Sequence, residues 1–177
     1  MGSDLFVYFM PAELDYRMQR TARFSPCSTF RYSLSRVWDN SLPQVLFVGL
    51  NPSTADDQVD DPTVRRCVGF ARDWGYGGVV LVNLFAFRTT QPANLLKADD
   101  PIGPENDHWI SAELNLAERV VAAWGNHGHL LDRDKQVLDL LEQPYCLGTT
   151  KTGCPRHPLY LASSTRLRKL NAPIAVK

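Results

Sequence analysis

No stretch of this 177-residue chain stays apolar for the roughly 20 residues that cross a bilayer, which excludes a spanning helix. Neither sign of charge prevails: 19 Lys and Arg stand against 19 Asp and Glu. That balance argues against a protein held to nucleic acid mainly by neutralising phosphates. Cysteine is scarce and unpaired. Cys27, Cys67, Cys146 and Cys154 never fall in a CxxC spacing, so free thiols in a reducing, cytoplasmic setting are expected. The apolar start, Met1 to Met10, contains Asp4 and lacks a basic flank, which makes a poor signal peptide. Internal repeats, linkers and low-complexity tracts are missing. Two local absences shape the rest of the reading. From Lys151 onward the chain has Arg156, Arg166, Arg168, Lys169 and Lys177 but no Asp or Glu, while Asp56, Asp57, Asp60 and Asp61 cluster upstream. Residues 52 to 69 contain no Phe, Tyr, Trp or His.

What is present fits one globular domain over residues 1–177. Hydrophobic residues make up 44% and charged residues 21%, ordinary values for a folded core. Residues 1–40 read as an N-terminal extension, in which Phe30 to Trp38 alternates large and polar side chains like an edge strand or hairpin arm. Residues 41–170 read as an α/β core. Apolar, β-branched runs at 45–50, 79–84, 119–124 and 145–148 are four strands. Helices are expected over 62–74, with Asp61 as N-cap and Pro62 at the first position, and over 104–116 and 130–143. A basic terminal helix is expected near 163–170. Trp109, Ala112 and Leu116 are possible core contacts on the second helix, and Leu131, Val137, Leu138, Leu140 and Leu141 face inward from the third. Alternation of strand and helix predicts a mainly parallel four-stranded sheet in a three-layer α/β/α arrangement.

Chemistry concentrates where strands end. Val45 to Leu50 runs into Asn51-Pro52-Ser53, a loop at a strand's carboxyl end, where open α/β sheets bind ligands. Gly49 permits close approach and Pro52 stiffens the loop after Asn51. Asn51 is either an amide aimed at a site or the cap of its own turn. Asn83 ends the second strand; a buried amide there needs a partner, in a ligand or in neighbouring backbone. His157 sits in the loop after the fourth strand, flanked by Lys151 and Arg156, which could hold a phosphate. Asp56 or Asp57 could instead supply a base, or be simply solvated. The run Gly125-Asn126-His127-Gly128-His129 invites a metal site with Cys146 or Cys154, but it lacks a matching ligand motif, so no metal is expected.

Taken in order, these pieces resemble the uracil-DNA glycosylase superfamily over residues 45 to 161. Gly49-Leu50-Asn51-Pro52-Ser53 is similar to the Gly-Ile-Asn-Pro-Gly form of its first motif. Val79 to Asn83 resembles its second strand, Trp124-Gly125 the end of its third, and His157-Pro158 the start of its last motif. The whole chain also resembles a bacterial family of unknown-function domains with Asn-Pro-Ser-Thr-Ala-Asp (51–56) and Pro-Arg-His-Pro-Leu-Tyr (155–160) signatures. The superfamily resemblance implies a sheet of order 2-1-3-4 with Phe30 to Val37 as an added edge element. It implies an N-glycoside hydrolase acting on a nucleic-acid base or nucleotide. Asn51 would hold the attacking water, Asn83 would read the base, and His157 would donate to the leaving oxygen. Gly49, Leu50, Pro52, Ser53, Phe85 and Tyr160 would line the substrate, with Phe85, Phe87 and Tyr160 replacing the aromatic missing from the first-motif loop. Superfamily members with iron–sulfur clusters use a close cysteine pair that this chain lacks, so no cofactor is expected. The alternative is a non-catalytic module that binds a base, nucleotide or nucleic acid on the same scaffold.

Overall fold

Strand β3, Gln44–Gly49, lies at the centre of the computed structural model, which describes residues 18–170. The start read as a poor signal peptide and Lys177 fall outside them. Valine, leucine and phenylalanine fill β3 because both its faces are covered, and Val45 to Val48 are buried. Its neighbours are β4 (Gly78–Asn83) and β5 (Arg119–Ala122), both parallel to it. Two further strands precede them in the chain, β1 (Gln19–Phe24) and β2 (Arg31–Val37). Two short ones follow, β6 (Tyr145–Cys146) and β7 (Arg168–Lys169).

Among the described residues these seven strands form one mixed sheet of order β1-β2-β4-β3-β5-β6-β7. Pairing is antiparallel at both ends, β1 with β2, β2 with β4 and β6 with β7, and parallel only between β4 and β6. The expected mainly parallel, four-stranded, three-layer α/β/α core of order 2-1-3-4 is thereby corrected. Strand β2 explains much of the difference. It is not an added edge element but an interior strand buried along nearly its whole length, Arg31, Ser33 and Arg36 included. Arg31 and Ser33, at alternate positions that look like a solvent face, are buried here; β1, with its exposed alternation, is the edge.

Helices are few. Helix α1 spans Pro62–Asp73; the Asp61 carboxylate accepts from Val64 N at 2.8 Å, and Gly75 takes φ +82 just past the end. Val64, Cys67, Val68 and Ala71 recur at helical spacing and pack on Leu34, Phe47, Val79, Leu81 and Val121. On the other face, Ile110 of α2 (Asn106–Leu114) and Val137 of α3 (Arg133–Leu138) join Leu46, Val48, Val82 and Trp124. The helix expected over 130–143 is reduced to α3 because Leu131 and Asp132 adopt positive φ. Leu131, Leu140 and Leu116 are exposed. Trp109 leaves the core to stack on Tyr32. No terminal helix forms: that segment ends in β7, with Leu170 N donating to Pro144 O. No helix among the described residues is long and apolar enough to cross a membrane.

Candidate functional site

The carboxyl ends of β3 and β4 meet the start of α1 around a cavity of about 40 Å³. Gly49, Leu50, Asn51 and Ser53 line it from the loop after β3, Asn83 from the end of β4, and His157 and Pro158 from the loop after β6. Asn51, Asn83 and His157 thus share one cavity, although they lie far apart in the chain. Gly49 pairs with Asn83 in register. A Cβ on Gly49 would sit 2.7 Å from the Asn83 Oδ1, so the glycine is what lets that carboxamide lie across the strand end. Asn83 is buried and its Nδ2 has no partner. The backbone reading of that amide is therefore absent; its donor is unspent, where buried donors are nearly always bonded.

Asn51 is held differently. Its Nδ2 donates to Thr89 O at 2.7 Å and Pro52 O at 3.0 Å, and Thr89 N returns a bond to Pro52 O. Two carbonyls can be met only by the amide nitrogen, so Oδ1 is the group Asn51 can offer a ligand. His157 accepts from Leu159 N through Nδ1 at 3.3 Å, which puts the proton of its neutral form on Nε2. Burial pushes its pKa below the ordinary histidine value, and the Asp61 carboxylate pulls the other way. The site therefore presents a neutral imidazole with one N–H to donate.

Sequence reasoning missed several lining groups, among them Arg31, Phe47, Asp61 (read only as a cap) and Cys67. Arg31 was hidden by reading β2 as an edge strand. Cys67 is fully enclosed, and burial raises its thiol well above the usual range. Phe47 is the aromatic at the cavity. Phe85 is buried on the opposite face of the sheet, Tyr160 is 85% exposed, and Phe87 lies on a separate open cleft beside Arg88. Pro52 is buried but acts through its carbonyl. Lys151 is exposed; Arg156 lines another, open groove of about 500 Å³ with Thr149, Ser164, Thr165, Arg166 and Arg168.

In the acidic loop, Asp56 and Asp60 are engaged by groups of the fold. Asp56 caps its own turn, accepting from Gln58 N and Val59 N at 2.8 and 2.7 Å, and those bonds lower its pKa. Asp60 pairs with the buried Arg36 at 2.7 Å. Among the described residues no three His, Cys, Asp or Glu are grouped so as to hold one metal ion. Instead the His129 ring bridges two groups, Nε2 to Cys154 Sγ at 2.9 Å and Nδ1 to Asp134 Oδ2 at 2.8 Å. Cys154 is buried, so the chain ties the loop after β5 to the loop after β6.

Residues 31–159 match a family described as a protein of unknown function (DUF1643), and the chain belongs to it. No curated protein and no solved structure matches the chain.

Proposed function

We propose that this DUF1643 member is an N-glycoside hydrolase of the DNA-glycosylase type, acting on a nucleic-acid base or nucleotide. The observation that carries the reading is the unspent Asn83 Nδ2, buried at a strand end and sharing a cavity with Asn51 and His157. An amide so placed donates to a base carbonyl. The Asn51 Oδ1 accepts from a water and orients it toward the sugar carbon; an amide serves that purpose without titrating. The neutral His157 donates from Nε2 to the oxygen that gains charge as the base departs. The ordered motifs at Gly49–Ser53, Val79–Asn83, Trp124–Gly125 and His157–Pro158, which resemble the uracil-DNA glycosylase superfamily, support the same reading. Arg156, with Arg166 and Arg168 in the adjoining groove, would take the phosphates.

At about 40 Å³ the cavity is too small for a base as it stands. Ligand pockets run to roughly 300–1,000 Å³. A base therefore enters only if the walls of the cavity part. That requirement favours a flipped or free base over one in a duplex stack.

A second reading keeps the binding and drops the cleavage. The tie of Asn51 Nδ2 to two loop carbonyls favours it, because a residue holding its own loop can be structural. One experiment separates the two. Oligonucleotides and nucleotides carrying uracil, thymine mismatches, hypoxanthine and alkylated bases are incubated with the protein and scored for abasic sites, beside equilibrium binding of the same set. Abasic sites from at least one substrate, lost in His157→Ala, support hydrolysis. Saturable binding without any abasic site supports the module. Neither outcome leaves the cavity without a nucleobase ligand and ends both readings.

A further inference from the structure

Three arginines are buried among the described residues: Arg31, Arg36 and Arg133. Two have carboxylate partners, Arg36 in Asp60 and Arg133 in Asp107. Arg31 has none in contact. It is 2% exposed, its Nη1 donates to Ala55 O at 2.8 Å, and its Nε is buried without a partner. The guanidinium Nε is thus unspent, and it belongs to the edge, shared with Nη2, that grips two oxygens side by side. Arg31 lines the same cavity as Asn83, whose Nδ2 is another buried donor without a partner, and as His157, whose neutral form donates from Nε2. All three residues line one space. Burial lowers the Arg31 pKa to about 10 in spite of Asp61, as expected of a cation taken out of water with too little counter-charge.

We propose that this cavity is a binding site for a planar oxyanion, with the Nε–Nη2 edge of Arg31 as its cation and the Asn83 amide as its second donor. Asp61, whose Oδ1 caps α1, is the acidic wall. Its charge selects a monoanion over a dianion. Two sources share this chemistry: the carboxylate of a small ligand, and the anion of a cyclic imide such as a departing pyrimidine base. The site shares its cavity with the hydrolase reading but does not need bond cleavage, so either can fail without the other.

The test uses the full chain labelled with ¹⁵N and follows the arginine Nε–H resonances. Acetate, barbiturate (an imide that is anionic at neutral pH) and inorganic phosphate are each titrated, with chloride at matched ionic strength as the control. Arg31→Gln identifies the Arg31 resonance by its loss, and Arg31→Lys does so if the glutamine variant does not fold. The expected result is a saturable shift of the Arg31 resonance with acetate or barbiturate and none with chloride. Asn83→Ala, which leaves Arg31 in place, should weaken that binding about tenfold. Acetate binding alone assigns the carboxylate source; tighter barbiturate binding assigns the imide. An Arg31 resonance unmoved by both planar anions, or one that answers to phosphate more strongly than to either, overturns the proposal. Binding of barbiturate together with no base release from any substrate would retain this site and remove only the hydrolase.

Discussion

Cys27 and His157 sit in opposite surroundings, and each gives a titration that can be measured. Cys27 is exposed beside Ser25, whose hydroxyl lies 3.4 Å from the sulfur, and hydrogen bonds from Ser25 and Thr29 hold its pKa at about 7. The other three thiols are buried. Iodoacetamide should therefore modify one cysteine in the native protein, identified by peptide mass as Cys27, with a rate that climbs through about pH 7. Rapid modification of Cys154 would instead mean that the His129 bridge leaves its sulfur open. His157 works the other way. Its folded pKa lies below the ordinary value, so below about pH 6.5 the unfolded chain binds the proton first. Stability should be level above that pH and fall as pH drops toward the folded pKa. Urea midpoints across this range should show the decline, and His157→Gln should flatten it. At this scale much was legible. Asn51, Asn83 and His157 could be singled out because polar groups at the ends of apolar strands are conspicuous. Arg31 could not, since nothing local distinguishes a buried arginine on an interior strand from a solvated one on an edge.

Helix α1 owes its start to one carboxylate, and that start is also a wall of the cavity. Removing the cap in Asp61→Ala should cost about 1 kcal/mol, read by urea denaturation, within the usual range of roughly 0.5–2 for an N-cap. Asp61→Asn, which can still cap, should recover most of it. Equal losses in both variants would show that the charge beside Arg31, and not the cap, is what Asp61 contributes. Elements with strong local signals were readable: β3, β4 and α1 carry apolar periodicity and clear end residues. Those whose form depends on distant partners were not. The basic segment near 163–170 has helical composition, but Leu170 N and the β7 backbone find partners at Pro144 and β6. The 130–143 stretch looks continuous until Leu131 and Asp132 turn left-handed; no single residue type there announces it.

Across the whole molecule, the sheet joins a parallel middle to antiparallel margins, and the cavity lies where the strand ends of the middle meet α1. The α/β alternation conveyed the middle strands. It could not convey that β1 pairs outside β2 and makes β2 an interior strand, because an edge strand and the inner arm of a hairpin have the same local pattern. The consequence for function is burial: β2 closes over β4 and carries Arg31 into the cavity. Zero formal net charge with a cluster of arginines around one groove gives the molecule a local, not a global, attraction for phosphate. Association with an oligonucleotide should weaken with added salt, and Arg166→Ala with Arg168→Ala should reduce that salt slope. The most direct test of the central claim is the amount of free base released per abasic site formed, measured by chromatography under single turnover. The account predicts equal amounts of the two from at least one substrate with the wild-type protein. It also predicts a rate lowered by about 10²-fold or more in His157→Ala. Release that is unchanged in His157→Ala and Asn83→Ala, or no release and no binding from any substrate, would contradict it.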